Sequence, residues 1–191
     1  MNKRILFCSF CCLMLNACQI AGTLYNAGHK VTSVILDDRA IKDDYIDTKL
    51  NLVIRKKLAQ KDIKYFLDIE VTVFEGYVLL NGALPETTLI DEVNELVWQT
   101  EGVKKVYNYI RLDTPPKISI VNEDAAISAK IRYELSLTKD VSSLNYKLTM
   151  ETGTIYLMGI TKNDEELKKV LAVIKNTVSV QKIIVLTRYQ N

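Results

Sequence analysis

The chain has 191 residues, of which 48% are hydrophobic and 25% charged, a composition typical of globular domains and unlike that of disordered chains. Its formal net charge of +2 arises from Lys3 and Arg4, because the remaining basic residues equal the 23 acidic ones in number. A chain with balanced charge has no overall field that would attract nucleic acid, so nucleic-acid binding is not expected.

The segment 1–17 has the pattern of a secretory signal peptide. Lys3 and Arg4 precede an apolar run over residues 5–15, which is shorter than the about 20 residues needed to span a bilayer. The run ends in Leu-Asn-Ala-Cys at residues 15–18, which resembles the lipobox of bacterial lipoproteins. The cysteine of that motif is acylated, so the resemblance predicts a covalent lipid on Cys18. A signal peptide that is cleaved elsewhere is the alternative.

Cysteine usage limits the chemistry of the remaining chain. Cys8, Cys11 and Cys12 lie within the predicted signal peptide, and Cys18 is the predicted site of lipid attachment. The mature domains are therefore predicted to contain no thiol for a disulfide, a nucleophile or a metal ligand. Residues 18–43 show weak apolar patterning and are predicted to form a lipidated N-terminus and a tether.

A repeated segment organises the rest of the chain. The sequence Glu-Gly-Tyr-Val-Leu-Leu-Asn-Gly at residues 75–82 recurs as Thr-Gly-Thr-Ile-Tyr-Leu-Met-Gly at residues 152–159, a constant offset of 77 in the numbering. A glycine followed by an apolar strand is typical of a β-hairpin turn. The apolar residues on both sides of this segment recur at the same offset. Each copy is therefore predicted to fold in the order helix, strand, strand, helix, strand.

Further predictions concern the buried faces and the caps of the helices in the two copies. The first helix is predicted to bury an apolar set, namely Ile46, Leu50, Val53, Ile54 and Leu58. An offset of 81 matches three of these residues with residues of the second copy, namely Ile46, Leu50 and Ile54 with Ile127, Ile131 and Leu135. Because the strands repeat at an offset of 77, this match predicts four extra residues before the first strand of the first copy. Trp98 is predicted to pack in the core of the first copy, and a binding role is the alternative. Asn122 and Asn163 are predicted to cap helices of the second.

These patterns predict an α+β protein with two tandem domains, residues 44–113 and 121–191, joined by a linker at residues 114–120. Each domain is expected to hold a three-stranded mixed sheet with its last strand parallel to a hairpin strand, because strand–helix–strand crossovers are right-handed. Two helices are expected to cover one face of each sheet. Since a domain of about 70 residues buries only a small core, the two copies are expected to dock on each other.

The sequence shows no set of residues typical of an enzyme. His29 is the single histidine and lies in the predicted tether, where a solvated loop residue is favoured over a catalytic base. The acidic pairs at residues 37–38 and 43–44 lack the alternating ligand spacing of a calcium loop and are interpreted as solvated charges. We therefore predict a protein that is not an enzyme and that has neither a metal nor a cofactor besides the covalent lipid on Cys18.

The first helix of the second copy is the best candidate for a binding surface. About a third of a turn from its predicted buried stripe lies a second stripe, formed by Ala126, Lys130, Tyr133 and Leu137. A tyrosine and a leucine beside a lysine suit the headgroup boundary of a membrane. Packing of Tyr133 and Leu137 against the first domain is the alternative, and the residues alone favour neither.

Two successive units of this order, each with a Gly-x-[Val/Ile]-x-Leu-x-Gly hairpin, resemble BON domains. Behind a lipobox, they are similar to the dual-BON outer-membrane lipoproteins, and the runs at residues 106–111, 127–132 and 156–159 carry the same resemblance. The resemblance implies a lipid-anchored outer-membrane protein with its domains in the periplasm. The residue after Cys18 agrees with this location, because it is Gln19, whereas an aspartate at that position would imply retention in the inner membrane. It also implies support of outer-membrane integrity and a position at division sites.

For function, the resemblance implies that the first helix of the second domain binds anionic phospholipid, such as phosphatidylglycerol or cardiolipin. Lys130 is then expected to meet phosphate with Arg132 beside it, while Tyr133 and Leu137 reach the acyl boundary. Relatives place a membrane-facing tryptophan where this chain has Ala126, so weaker lipid binding is expected. The alternative function is a protein-binding adaptor for outer-membrane β-barrel assembly or the envelope stress response, without direct lipid recognition.

Overall fold

The structure, a computed structural model, describes residues 38–177 and 179–190 and shows the same order of elements twice. The first unit consists of helices α1 (Asp38–Lys61) and α2 (Ile63–Asp68), strands β1 (Ile69–Phe74) and β2 (Tyr77–Leu84), helix α3 (Thr87–Trp98) and strand β3 (Lys105–Leu112). The second unit consists of helix α4 (Ile118–Leu137), a 3-10 turn (Ser143–Asn145), strands β4 (Tyr146–Glu151) and β5 (Thr154–Thr161), helix α5 (Asp164–Lys175) and strand β6 (Lys182–Tyr189). The predicted α+β architecture is confirmed.

Some expectations on the ends of the elements fall outside the described residues or need correction. The predicted signal peptide, Cys18 and His29 lie outside the described residues. Helix α4 begins at Ile118, shortly after two prolines, so Asn122 lies inside the helix and is not its cap; Lys117 holds that position. Asn163 does cap α5, since its side-chain oxygen accepts a hydrogen bond from the backbone N–H of Glu166 at 2.9 Å.

Each unit contains one mixed sheet, as the sequence predicted. Strand β1 pairs antiparallel with β2, which pairs in parallel with β3, and strands β4, β5 and β6 repeat this order. The register repeats as well, because Val71 faces Leu80 in the first sheet and Leu148 faces Leu157 in the second. The offset found in the sequence therefore holds for every strand.

The two hairpin turns share an unusual backbone. Both turn residues have positive φ in each copy, 49° and 77° at Glu75 and Gly76 and 44° and 79° at Thr152 and Gly153, which is typical of a type I′ turn. Glycine adopts this conformation freely, whereas Glu75 and Thr152 do so only with strain. An aspartate of the preceding long helix supports each turn. Asp47 accepts hydrogen bonds from both turn N–H groups of the first hairpin, the one from Gly76 at 2.9 Å.

The second hairpin is held in the same way by Asp124, which accepts a hydrogen bond from the N–H of Thr152 at 2.6 Å. The positions of Asp47 and Asp124 differ by 77, the offset of the strands, so the opening helices repeat in the same register as the strands. The predicted offset of 81 and the four extra residues are wrong. An apolar stripe recurs at every helical turn, so a helix displaced by four residues shows nearly the same pattern. In agreement with the corrected register, Ile46 is 48% exposed, while Leu58 is fully buried.

Three apolar clusters hold the units together. Each sheet buries one face under its own helices, around Ile54 and Leu80 in the first unit and around Ile131 and Leu157 in the second. The opposite faces of the two sheets pack against each other in a third cluster, built on Leu79, Tyr156 and Met158. The predicted docking of the two copies is confirmed, and the resulting order of layers is helices, sheet, sheet, helices.

Trp98 is not a core residue. It ends α3 with its side chain 56% exposed, while Val93 and Val97 form the buried face of the helix. Consecutive residues of a helix point about 100° apart, which turns Trp98 away from the direction of Val97 and into solvent. The predicted burial of Trp98 is therefore wrong, and so is that of Val53, which is also exposed.

Candidate functional site

Helix α4 presents the predicted stripe to solvent. Tyr133 is 64% and Leu137 is 68% exposed, and Ala126 and Lys130 are exposed beside them. Ile131, on the opposite side of the helix, is fully buried in the core of the second unit and fixes the orientation of the stripe. The alternative in which Tyr133 and Leu137 pack against the first domain is wrong, because side chains packed there would be buried.

The charges around this stripe are few and nearly balanced. The Lys130 ammonium lies 3.8 Å from the carboxylate of Glu134 one turn later, an exposed pair that contributes little to stability and reduces the positive field of the stripe. Arg132 points elsewhere, since its guanidinium donates a hydrogen bond to the backbone oxygen of Leu148 at 2.9 Å. The structure thus brings together four of the five predicted residues and places Arg132 beside strand β4.

Arg132 lines a groove of about 400 Å³ between α4 and the first domain. The other arginine of the groove, Arg55, is engaged as well, with its guanidinium 4.5 Å from the centre of the Phe66 ring. The Glu70 carboxylate accepts hydrogen bonds from Thr149 at 2.6 Å and from Asn81 at 3.1 Å. The hydrogen bond between Glu70 and Thr149 thus joins the two domains, whereas each arginine of the groove is engaged within its own domain.

A second exposed face, which was not predicted from the sequence, lies on α1. Tyr45 is 69% and Leu52 is 64% exposed, and they alternate with Lys49 and Lys56, which are also exposed. The spacing of four, three and four residues places all four side chains on one side of the helix. The signal was present in the sequence, because the 100° rotation that reveals the stripe of α4 reveals this face too.

The most strongly shifted tyrosine of the described chain lies away from both faces. Burial and a 2.7 Å hydrogen bond to the Glu92 carboxylate raise the pKa of Tyr65 to about 12. Lys61 pairs with the same carboxylate, and its hydrogen bond, followed by that of Tyr65, lowers the pKa of Glu92. This cluster joins α1, α2 and α3 at the surface, so its evident role is to fix the helices on the first sheet.

Two features are absent from the part of the chain that the structure describes. No group of three or more histidine, cysteine, aspartate or glutamate side chains is placed to hold a metal ion there. In the same residues, no helix combines the length and the apolar character needed to cross a bilayer. The exposed faces of α1 and α4 remain the candidate binding surfaces.

Comparison with known families gives two matches within the chain. The family model described as the BON domain matches residues 46–114 and residues 123–191. The starts of the two matches differ by the offset that separates Asp47 from Asp124, in agreement with the register of the helices. Both candidate faces lie almost wholly within matched segments.

Three relatives cover most of the chain. A protein of Anaplasma centrale named "Uncharacterized protein in gshII 5'region" is 32% identical over 146 residues, which span 76% of this chain and 95% of the relative. The outer membrane lipoprotein DolP of Haemophilus influenzae is 26% identical over 153 residues, spanning 77% of this chain and 76% of the relative. A 21 kDa hemolysin of Actinobacillus pleuropneumoniae is 25% identical over 134 residues, spanning 70% of this chain and 62% of the relative.

Proposed function

We propose, from the premise that this chain belongs to the BON domain family, that it is a non-enzymatic lipoprotein of the bacterial outer membrane that binds anionic phospholipid. A covalent lipid on Cys18 anchors it, and the two domains stand in the periplasm. The first helix of the second domain contacts the membrane. Through this contact the protein gathers where anionic lipid is concentrated, as at division sites, and supports the integrity of the outer membrane.

The observation that carries this proposal is the solvent exposure of the α4 stripe. Tyr133 and Leu137 leave about two thirds of their surfaces in water, whereas Ile131 and Leu135 are buried on the other side of the helix. A tyrosine and a leucine next to a lysine can insert at the headgroup boundary, with the ammonium reaching the phosphate layer. Because Ala126 supplies no large side chain and Glu134 lies near Lys130, the contact is weak and sensitive to salt.

The anchor and the α4 stripe have different roles. Acyl chains contribute about 0.8 kcal/mol for each buried CH₂ group, so a multiply acylated Cys18 holds the chain at the membrane without help from α4. The similarity to the outer membrane lipoprotein of Haemophilus influenzae supports such an anchor. Labelling of cells with a clickable fatty acid tests it. If Cys18→Ala leaves both labelling and membrane fractionation unchanged, the lipoprotein assignment is wrong.

Lipid binding is tested on the chain from residue 18 with Cys18→Ser, which retains every described residue and all three apolar clusters. Sedimentation with vesicles of phosphatidylcholine alone is compared with sedimentation with vesicles that also contain phosphatidylglycerol. We expect binding to the anionic vesicles only, and weaker binding of Tyr133→Ala with Leu137→Ala. If the intact chain ignores lipid charge, the protein-binding adaptor becomes the better function.

A further inference from the structure

We infer that the outer face of α1 in the first domain is a second surface for anionic membrane lipid, and the one that responds more strongly to lipid charge. The α1 face consists of Tyr45, Lys49, Leu52 and Lys56. This inference rests on the proposed function in one respect only, namely that the chain lies at a membrane. It assigns to the first domain a contact that the proposal above places in the second.

The geometry of the α1 face suits a flat, charged boundary. From Tyr45 to Lys56 the four side chains follow one side of the helix over about 17 Å, at about 1.5 Å for each residue. Leu50, Ile54 and Leu58 are buried on the opposite side and hold this face outward. Two large apolar side chains alternate with two lysines, whose apolar stems can lie along the acyl boundary while the ammonium groups reach phosphate.

The positive charge of the α1 face is not neutralised within the described part of the chain, although Lys61, at the end of the helix, pairs with Glu92. From residue 44 onward the helix carries five basic side chains, which are Lys49, Arg55, Lys56, Lys57 and Lys61. Its two acidic residues in that span are engaged elsewhere. Asp44 pairs with Lys147 at 2.8 Å, and Asp47 is buried beneath the first hairpin turn. In the described structure, Lys49 and Lys56 have no ion-pair partner.

The equivalent face of α4 has the opposite balance. That helix carries three acidic side chains, Glu123, Asp124 and Glu134, against only Lys130 and Arg132. Lys130 is close to Glu134, and Arg132 is bound to the backbone of β4. Since each basic residue near an anionic surface contributes separately to binding, α1 gains more from lipid charge than α4 does.

Charge complementarity and position favour a bilayer as the occupant. Ile46 and Val53 flank the face and line a groove of about 470 Å³ that also holds the acidic Glu101. Lys49 and Lys57 also line this groove, so its lining holds two basic side chains against one acidic one and favours an anionic headgroup. Moreover, α1 begins at Asp38, so a segment of about 20 residues, reaching at most about 70 Å when fully extended, joins it to the predicted anchor at Cys18.

The test compares two matched pairs of neutralised lysines in the chain from residue 18 with Cys18→Ser. The first variant carries Lys49→Gln and Lys56→Gln. The control carries Lys162→Gln and Lys175→Gln, two exposed lysines of the second domain. Binding to vesicles of phosphatidylcholine and phosphatidylglycerol is measured at two salt concentrations, and thermal unfolding verifies that both variants remain folded. The variant with Tyr133→Ala and Leu137→Ala is measured alongside them.

We expect the variant with Lys49→Gln and Lys56→Gln to bind the anionic vesicles roughly 30-fold less tightly, or about fivefold for each lysine, with a weaker dependence on salt. The control should remain within about twofold of the unchanged chain. If the two neutralised lysines of α1 have no more effect than the control, while Tyr133→Ala with Leu137→Ala abolishes binding, this inference is overturned and the proposed function stands. If the unchanged chain fails to bind anionic vesicles, both are overturned.

Discussion

Arg111 of the first domain and Glu151 of the second form an ion pair across the domain interface, with Nη2 and Oε1 3.1 Å apart. Glu151 is buried, and its other oxygen accepts a hydrogen bond from the backbone N–H of Gly82 at 3.0 Å. The repeat places Arg188 at the position equivalent to Arg111, and Arg188 pairs with Glu75 in the reverse direction across the same interface. The two arginines are thus equivalent by the repeat, whereas their carboxylate partners are not, because the position equivalent to Glu151 is Phe74.

The first prediction concerns the unequal strength of these two pairs. Glu151→Ala removes an acceptor of a buried N–H and leaves Arg111 without its buried partner, so we expect it to lower the free energy of unfolding by about 2–3 kcal/mol. Glu75→Ala should lower it by less than about 1 kcal/mol, because both members of that pair are about one third exposed. Urea denaturation measures both values. Equal losses would contradict the assigned difference in burial.

The second prediction concerns the aspartates that support the hairpin turns. Asp47→Ala and Asp124→Ala each leave a strained turn without its side-chain acceptor, and we expect each to lower the free energy of unfolding by about 2 kcal/mol. Burial raises the pKa of Asp47, which shows that the charge itself is disfavoured there. Asp124→Asn, which keeps the one oxygen that accepts from Thr152, should lose less than about 1 kcal/mol. Asp47→Asn should lose more, because its NH₂ group replaces one of the two oxygens that accept from Glu75 and Gly76. At Asp124, a loss from asparagine equal to that from alanine would argue against this role.

The sequence predicted most of the fold because period and turn chemistry act locally. The hairpin glycines Gly76 and Gly153, the alternating strands and the cap at Asn163 all follow from neighbours in the chain. The register of the opening helices could not be predicted in this way. It depends on the hydrogen bond between Asp47 and a turn distant in the chain, whereas an apolar stripe alone permits a shift by one turn.

The candidate surfaces were predicted only in part for a similar reason. The stripe of α4 follows from helical periodicity, but the direction of Arg132 depends on Leu148, a neighbour in space. The α1 face was overlooked because its apolar residues Tyr45 and Leu52 are few among charged ones. Their exposure becomes evident only when the docking of the two sheets shows that nothing described covers that side of the helix.

The third prediction concerns pH. The pKa of Tyr65 is raised from about 10 in the unfolded chain to about 12 in the fold, by burial first and by the hydrogen bond to Glu92 second. A raised pKa means that the unfolded chain loses this proton first. The stability that Tyr65 contributes is therefore complete below about pH 10 and is lost as the pH rises from about 10 toward 12.

Comparison with Tyr65→Phe isolates this contribution. Near pH 8 the variant should be less stable by about 1.5 kcal/mol, because it lacks a hydrogen bond to a charged acceptor. Above about pH 10 the difference should shrink, since only the unchanged chain loses the contribution of the tyrosine proton. Denaturation by urea between pH 8 and pH 11 measures this difference. The exposed Tyr133→Phe serves as the control, and a constant difference for Tyr65→Phe across the range would refute the assignment.

The last prediction concerns the second glycine of each hairpin segment, where another part of the backbone approaches closely. A Cβ atom at Gly82 would lie 2.2 Å from the backbone oxygen of Asp68, and one at Gly159 would lie 2.1 Å from that of Asn145. We expect Gly82→Ala and Gly159→Ala each to lower the free energy of unfolding by about 3 kcal/mol or more, because a backbone group cannot turn aside as a side chain can.

Gly102→Ala is the matched control for these two substitutions. Gly102 also has a positive φ, of 93°, but an added Cβ would meet only the Leu50 side chain at 3.7 Å, so backbone strain alone should lower stability, by about 1–2 kcal/mol. Gly82→Ala should have a larger effect than Gly159→Ala, because any displacement of Gly82 also lengthens its hydrogen bond to Glu151. Chemical denaturation of the three variants tests this order. If Gly82→Ala were no more harmful than Gly102→Ala, close approach of the backbone would not be the reason for a glycine at this position.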